Sequence, residues 1–351
     1  FPVLGTLIAI WIMWDYGITE ETANKVRAVL DRRKAQKKGS SSYLPGQLMK
    51  FKENGIELDQ VKGISLLGKS PAELEGLFAE RLNSGLHGLC FSPYVEGQET
   101  GDILSESQIR RRMEIIMPYT QWIRSFSCTE GNELIPEIAH EKGLKTMVGA
   151  WISNDLERNE EEITALIGLA EKGLVDIAVV GNEVLMRDEI SEAALIKYIK
   201  RVKEALPNIT VAYVDAYYQF LDRPALIGAI DKVLINCYPF WEGANIFYAS
   251  HYIQQMYALT QKAAGSKEVI ITETGWPSQG ESVLDAVPTL DNAMQYFIQV
   301  QHWVEKDQVP LFYFSSFHES WKIHQEGEVG TRWGLWDKNE ILKYGKEKTK
   351  A

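Results

Sequence analysis

The chain has 351 residues, of which 45% are apolar and 24% charged, as in an ordinary globular protein rather than a disordered or collagen-like chain. It carries 37 Lys and Arg against 48 Asp and Glu, and the net charge of −11 argues against a nucleic-acid-binding protein. The cysteines Cys90, Cys128 and Cys237 form no CxxC pair and lie in apolar runs. This predicts buried free thiols rather than a disulfide framework or a thiolate zinc site.

The 14 residues 1–14, FPVLGTLIAIWIMW, are uncharged and almost entirely apolar. A helix needs about 20 residues to cross a bilayer, so this segment is short for a complete span and is interpreted as a possible truncated membrane anchor. The alternative is a buried core helix or strand. That alternative is less favoured because a polar and basic stretch follows at once.

The pattern of residues 15–69 predicts a basic helix followed by a linker. Seven Lys and Arg against one Asp lie between positions 25 and 38. Such a segment is either a solvated helix face or a juxtamembrane patch that faces anionic lipid. Residues 39–46, GSSSYLPG, have the composition of a linker. We therefore expect an N-terminal helical and linker extension before the main domain.

The main domain is expected to span residues 70–351. Ser70, Pro71 and Glu73 have the order of an N-cap, a proline at the first helical position and an acidic first turn, and Gly85 is a helix stop. Amphipathic stretches then separate short apolar runs. The runs cover residues 88–91, 121–126, 145–151, 175–180, 209–214, 233–237, 269–272 and 310–315.

Eight continuous apolar runs alternating with helical patterns indicate parallel strands buried on both faces. Over about 260 residues this rhythm predicts a (β/α)8 barrel. A doubly wound sheet is the competing fold, and it is typically marked by a glycine-rich fingerprint after the first strand. Ser92-Pro93-Tyr94 stands there instead.

Chemistry in such barrels lies at the carboxyl ends of the strands. The residues that follow the runs and could take part in it are Tyr94, Asn182, Glu183, Tyr238, Glu273, Trp276, Glu319 and Lys322. Carboxylates, an amide, a lysine and aromatic rings on one rim are typical of glycosidic bond cleavage, which needs an acid and a second carboxylate. A single Glu at a strand end is more often solvated or salt-bridged, and Lys322 could merely pair with Glu319.

The two central residues of this prediction are Glu183 and Glu273, which we expect to flank a bound sugar. Asn182 suits a hydrogen bond to the sugar 2-hydroxyl, and the rings of Tyr94, Tyr238 and Trp276 suit pyranose faces. Other chemistries fit less well. The histidines have no metal-ligand spacing, no nucleophile elbow surrounds Ser278, and no phosphate loop is complete. We therefore predict no metal and no cofactor.

Five motifs resemble glycoside hydrolase family 17, the β-1,3-glucanase-like family, in its bacterial and fungal branch. They are CFSPYVEGQ (90–98), VVGNEVL (179–185), INCYPFWEG (235–243), ITETGWPSQG (271–280) and FHESWK through GTRWGLWD (317–337). The resemblance covers about residues 86–344 and identifies residues 70–351 as a glycoside hydrolase domain. It implies a retaining double displacement on β-1,3-glucan. Glu183 would be the acid/base, Glu273 the nucleophile, Glu319 and Lys322 an auxiliary pair, and Tyr94 and Tyr238 subsite aromatics.

Three alternatives stay open at this point. The same residues could serve a transglycosylase that elongates or branches β-1,3-glucan. A related retaining glycosidase could act on β-1,4-glucans or mannans. A protein of another class, a catalytically dead and membrane-tethered glucan-binding module, would also carry these motifs. The expected location is membrane-associated or secreted, in the cell envelope, periplasm or extracellular space.

Overall fold

The computed structural model describes residue 66 and residues 68–345. The apolar segment 1–14 and all of the extension 15–69 except residues 66, 68 and 69 lie outside the described residues. The predicted anchor, basic helix and linker therefore stay predictions. Within the described part, no helix has both the length and the apolar character needed to cross a bilayer.

Eight parallel strands in the described part close into a barrel in which every strand pairs with its neighbours in chain order. They are β1 (Leu86–Cys90), β2 (Thr120–Ser125), β3 (Lys145–Ala150), β4 (Ile177–Asn182), β5 (Thr210–Ala216), β6 (Val233–Asn236), β7 (Val269–Thr274) and β8 (Leu311–Tyr313). The last strand, β8, pairs with β1 and completes the ring. The predicted (β/α)8 barrel is confirmed.

Helices alternate with these strands. They are α1 (Pro71–Ser84), α2 (Glu106–Ile116), α3 (Leu134–Glu141), α4 (Leu156–Glu171), α5 (Glu192–Ala205), α6 (Pro224–Ala229), α7 (Ile246–Ala264), α8 (Leu290–Asp307) and α9 (Ile323–Gly330). Side-chain caps fix the starts of most of them, because an oxygen at the N-cap satisfies a free backbone N–H. In α1, Ser70 and Glu73 form the reciprocal capping box.

Helix α1 precedes the barrel in the chain and covers its side. Phe78 of α1 lies 4.6 Å from Phe297 of α8 and 4.9 Å from Tyr344, measured between ring centroids. Leu74 and Leu82 are buried on the same face. The helix therefore packs against α8 and the C-terminal segment, which precede and follow β8 in the chain.

The barrel core is apolar, as the continuous runs predicted. All four residues of β6 and all six of β7 are buried. The cysteines Cys90, Cys128 and Cys237 are buried free thiols, as predicted. Register irregularities interrupt the pairing of β4 with β5, of β6 with β7 and of β7 with β8, near the carboxyl ends of these strands. Such irregularities redirect side chains locally, and here they adjoin the predicted site.

Candidate active site

Glu183 directly follows β4 in a sharp backbone turn. Gly181 has φ 88° and Glu183 has φ 53°, so both have the left-handed backbone conformation that residues other than glycine rarely adopt. The Glu183 N–H donates to the Val214 carbonyl of β5 at 2.8 Å. The turn thus ties the end of β4 to β5 and sets the direction of the Glu183 side chain.

Glu273 lies within β7, is 6% exposed, and has both carboxylate oxygens engaged. Arg124 of β2 donates from Nη1 to Oε1 at 2.6 Å, and the Tyr238 hydroxyl donates to Oε2 at 2.6 Å. Hydrogen bonds from a cation and a phenol stabilise the ionised form of a carboxyl group. The two donors therefore fix the position of both Glu273 oxygens.

Two asparagines connect Glu183 to Glu273. The second nitrogen of Arg124, Nη2, donates to Asn182 Oδ1 at 2.8 Å. Asn236 of β6 donates to Glu183 Oε1 at 2.9 Å and lies 3.4 Å from Asn182 Oδ1. The two glutamates are thus members of one hydrogen-bond network.

The surroundings of Glu183 favour its protonated form. Dense packing and the negative charge of Glu273 raise the pKa of Glu183 to about 7, although part of its surface reaches solvent. Asp215 adds to this rise, while Asn236 and Arg187 oppose it. Burial and the charge of Glu273 raise the pKa of Tyr238 well above its usual range, so its hydroxyl stays a donor.

Glu319 and Lys322 form an ion pair after β8, with 3.1 Å between Lys322 Nζ and Glu319 Oε2. The ammonium also lies 4.3 Å from the Phe314 ring centroid. Burial would lower the pKa of Lys322, but the charges of Glu319, Glu326 and Glu273 outweigh it and raise that pKa. Lys322 is therefore a cation close enough to Glu273 for the two charges to interact.

The structure corrects the predicted role of Trp276 and changes the part of Tyr238 that contributes to the site. Trp276 is 1% exposed, packs against Phe240 and Tyr296, and donates from Nε1 to the Val287 carbonyl at 3.0 Å. It has no free ring face for a sugar, since the β7 turn directs it into the barrel wall. Tyr238 is also buried, and what it contributes to the site is its hydroxyl.

Tyr94 is nearly buried as well. Its hydroxyl accepts from Asn132 Nδ2 at 3.3 Å, and its ring meets Trp321 edge-on with 6.3 Å between centroids. Three residues of the site are partly exposed, namely Asn182, Trp321 and Lys322.

Two members of the network were absent from the predicted site, namely Arg124 and Asn236. Arg124 is 1% exposed, and a charged residue inside the apolar run 121–126 was the signal that could have found it. Asn236 likewise interrupts the apolar run 233–237. Among residues 66 and 68–345, no group of three or more His, Cys, Asp or Glu side chains could hold a metal ion.

A closed parallel barrel with two acidic side chains in one network on its carboxyl rim agrees with the architecture of a glycoside hydrolase. The family model described as the BtgE/BtgC glycoside hydrolase domain matches residues 88–334. The chain therefore belongs to this glycoside hydrolase family. The predicted resemblance to family 17 is confirmed by the solved structures that it matches.

One of these structures is the glycoside hydrolase family 17 β-1,3-glucanosyltransferase from Rhizomucor miehei. It has a TM-score of 0.67 and 28% identity, over 74% of this chain and 96% of that chain. An active-site mutant of the enzyme was solved in complex with laminaritriose. Among curated proteins, a glucan 1,3-beta-glucosidase of Saccharomyces cerevisiae is 24% identical over 74% of this chain and 91% of its own length. A probable beta-glucosidase btgE of Aspergillus oryzae is 28% identical over 71% of this chain and 42% of its own length.

Proposed function

We propose that the protein is a retaining glycosidase that acts on β-1,3-glucan by double displacement. The observation that carries this proposal is the presence of two acids with different surroundings in one hydrogen-bond network. Glu273 is paired with Arg124 and accepts from Tyr238, whereas the pKa of Glu183 is raised to about 7. A nucleophile and a proton donor are the two groups that a retaining mechanism needs.

In the first step Glu273 attacks the anomeric carbon and forms the glycosyl ester. The bond from that carbon to the leaving oxygen breaks, and Glu183 gives its proton to this oxygen. In the second step Glu183 takes a proton from the acceptor, whose oxygen attacks the anomeric carbon and releases Glu273. Asn182 Oδ1 already accepts from Arg124, which directs the amide N–H groups of Asn182 toward the sugar 2-hydroxyl.

The substrate class is supported by the names of the relatives. The yeast relative is called a glucan 1,3-beta-glucosidase, and the Rhizomucor enzyme was solved with laminaritriose. Glu319 and Lys322 are proposed to position sugar hydroxyls beside Glu273, and Tyr94 to line a neighbouring subsite. These assignments rest on the resemblance and on the placement of the side chains around the network.

The function is tested by incubating the purified protein with laminaripentaose, cellopentaose and mannopentaose. We expect cleavage of the β-1,3-linked substrate alone, with the first product released as the β-anomer in proton NMR. The variants Glu273→Gln and Glu183→Gln should show no turnover, and Glu137→Gln on α3 is the matched control. Cleavage of the β-1,4 substrates instead, or an α-anomer as first product, would overturn the proposal.

A transglycosylase is the second candidate, and one finding favours it. The structurally similar Rhizomucor enzyme, at 28% identity, is a glucanosyltransferase. In that case the acceptor in the second step is a sugar hydroxyl. Products longer than laminaripentaose at high substrate concentration would identify the transfer reaction, whereas products that are all shorter would identify a hydrolase. Binding without any product would instead revive the catalytically dead binding module.

Attachment to a membrane is proposed for the N-terminal region on sequence grounds alone. The apolar segment 1–14 and the cations of residues 25–38 support this, with the catalytic barrel at 70–351 placed in the cell envelope or outside the cell. The test is fractionation of cells that express the complete reading frame. Recovery of the protein in the membrane pellet after a high-salt wash supports attachment, and recovery in the supernatant contradicts it.

A further inference from the structure

The backbone turn that carries Glu183 is anchored by a buried carboxylate on the next strand. Asp215 of β5 is 0% exposed. Its Oδ2 atom accepts from the backbone N–H of Leu185 at 3.2 Å and of Met186 at 3.4 Å, two and three positions after Glu183. A buried carboxylate with two such donors fixes the position of a turn more firmly than solvent could.

A tyrosine completes this anchor. The Tyr213 hydroxyl donates to Asp215 Oδ2 and accepts from the Leu185 N–H at 3.0 Å. The other oxygen, Oδ1, accepts from the Ala216 N–H at 2.8 Å. Every oxygen of the Asp215 carboxylate is thus used as an acceptor.

The turn needs such an anchor, because Glu183 has φ 53°, a conformation that costs free energy in a residue with a side chain. Strained backbone of this kind persists when surrounding contacts over-determine it. Arg187 supports the turn from the other side by donating to the Asn182 carbonyl and pairing with Glu189 at 2.7 Å.

We propose that Asp215, with Tyr213, is a positioning residue that holds the Glu183 turn so that Glu183 can deliver its proton to the leaving oxygen. This inference rests on the proposed glycosidase function. The groups whose charge or hydrogen bond shifts the pKa of Glu183 are Glu273 from β7, Asn236 from β6, Asp215 from β5 and Arg187 from the turn itself. The charge of Asp215 also favours the protonated form of Glu183.

The test uses the full chain and two substrates that differ in their need for a proton. Cleavage of a laminari-oligosaccharide releases a sugar alkoxide, a poor leaving group that needs a proton from an acid. Cleavage of the corresponding 2,4-dinitrophenyl β-glycoside releases a stable phenolate that needs no proton. Asp215→Asn keeps the shape of the side chain but turns one acceptor oxygen into a donor that faces other donors. We expect kcat/KM to fall about 100-fold on the oligosaccharide and less than about threefold on the aryl glycoside.

Tyr213→Phe should also lower kcat/KM more on the oligosaccharide than on the aryl glycoside, but by a smaller factor than Asp215→Asn. This variant provides the test if Asp215→Asn does not fold. The matched control is Asp231→Asn, since Asp231 accepts from the Val211 N–H at the opposite end of β5. This control should leave the ratio of the two rates unchanged. Equal losses on both substrates, or no loss on either, would refute the positioning role.

A second readout does not depend on activity. Carbon-13 NMR of labelled glutamate carboxyls gives the pKa of Glu183 directly in the wild type and in the Asp215→Asn variant. Removing the nearby negative charge should shift the Glu183 titration to lower pH. An unchanged titration contradicts the inference, whereas a wild type that cleaves no β-1,3-glucan contradicts the proposed function instead.

Discussion

The ion pair between Arg124 and Glu273 gives the sharpest prediction for the folded protein. Arg124 is 1% exposed, and it donates to Glu273 at 2.6 Å and to Asn182 at 2.8 Å. Arg124→Met keeps much of the side-chain length but leaves a buried carboxylate without its cation. Removing one partner of a buried pair costs about 3–5 kcal/mol, so we expect the free energy of unfolding at pH 7 to fall by this amount.

Urea denaturation followed by tryptophan fluorescence measures this loss. The matched control is Arg201→Met, because Arg201 of α5 forms an exposed pair with Glu160 and its loss should leave the midpoint nearly unchanged. An equal midpoint for Arg124→Met and the wild type at pH 7 would show that Glu273 is not held in the way described.

The remaining predictions concern activity and one corrected residue. Because catalysis needs a proton on Glu183, whose pKa is raised to about 7, kcat/KM on laminaripentaose should fall as the pH rises through about 7. A flat profile to pH 9 would contradict this assignment. Tyr238→Phe removes one hydrogen bond to the Glu273 carboxylate, worth about 1.5–3 kcal/mol, and should lower kcat about 10- to 100-fold. Trp276→Phe should lower the free energy of unfolding by about 0.5–1.5 kcal/mol through the lost hydrogen bond to the Val287 carbonyl, which keeps its bond from Asn292. It should leave KM unchanged, and a large rise in KM would restore Trp276 to the sugar subsite.

The barrel was predictable from the sequence because buried parallel strands leave continuous apolar runs. The predicted apolar runs and the observed strands differ at the strand ends. The fourth run was expected to stop at residue 180, whereas β4 extends to Asn182, and β8 is only Leu311–Tyr313 within the expected 310–315. Strand ends at the site carry polar residues, so hydropathy underestimates the length of β4.

The positions of the paired acids were predictable because the chemistry of a barrel lies where its strands end. Contacts made across the barrel were less accessible to sequence reasoning. Arg124 and Glu273 are 149 positions apart, and only barrel closure brings them together. Trp276 was misjudged because its neighbour Glu273 faces the pocket, while the turn that follows directs the indole into the wall.

The central claim is that Glu273 forms a covalent bond to the sugar while Glu183 supplies the proton. It is tested most directly by reacting the protein with a 2-deoxy-2-fluoro β-glucoside and sequencing the labelled peptide by mass spectrometry. We predict one added fluoroglycosyl group, on Glu273, and faster labelling with a dinitrophenyl leaving group than with a poor one. A protein that cleaves laminaripentaose yet carries the label on another residue, or shows no covalent adduct under these conditions, would contradict the account.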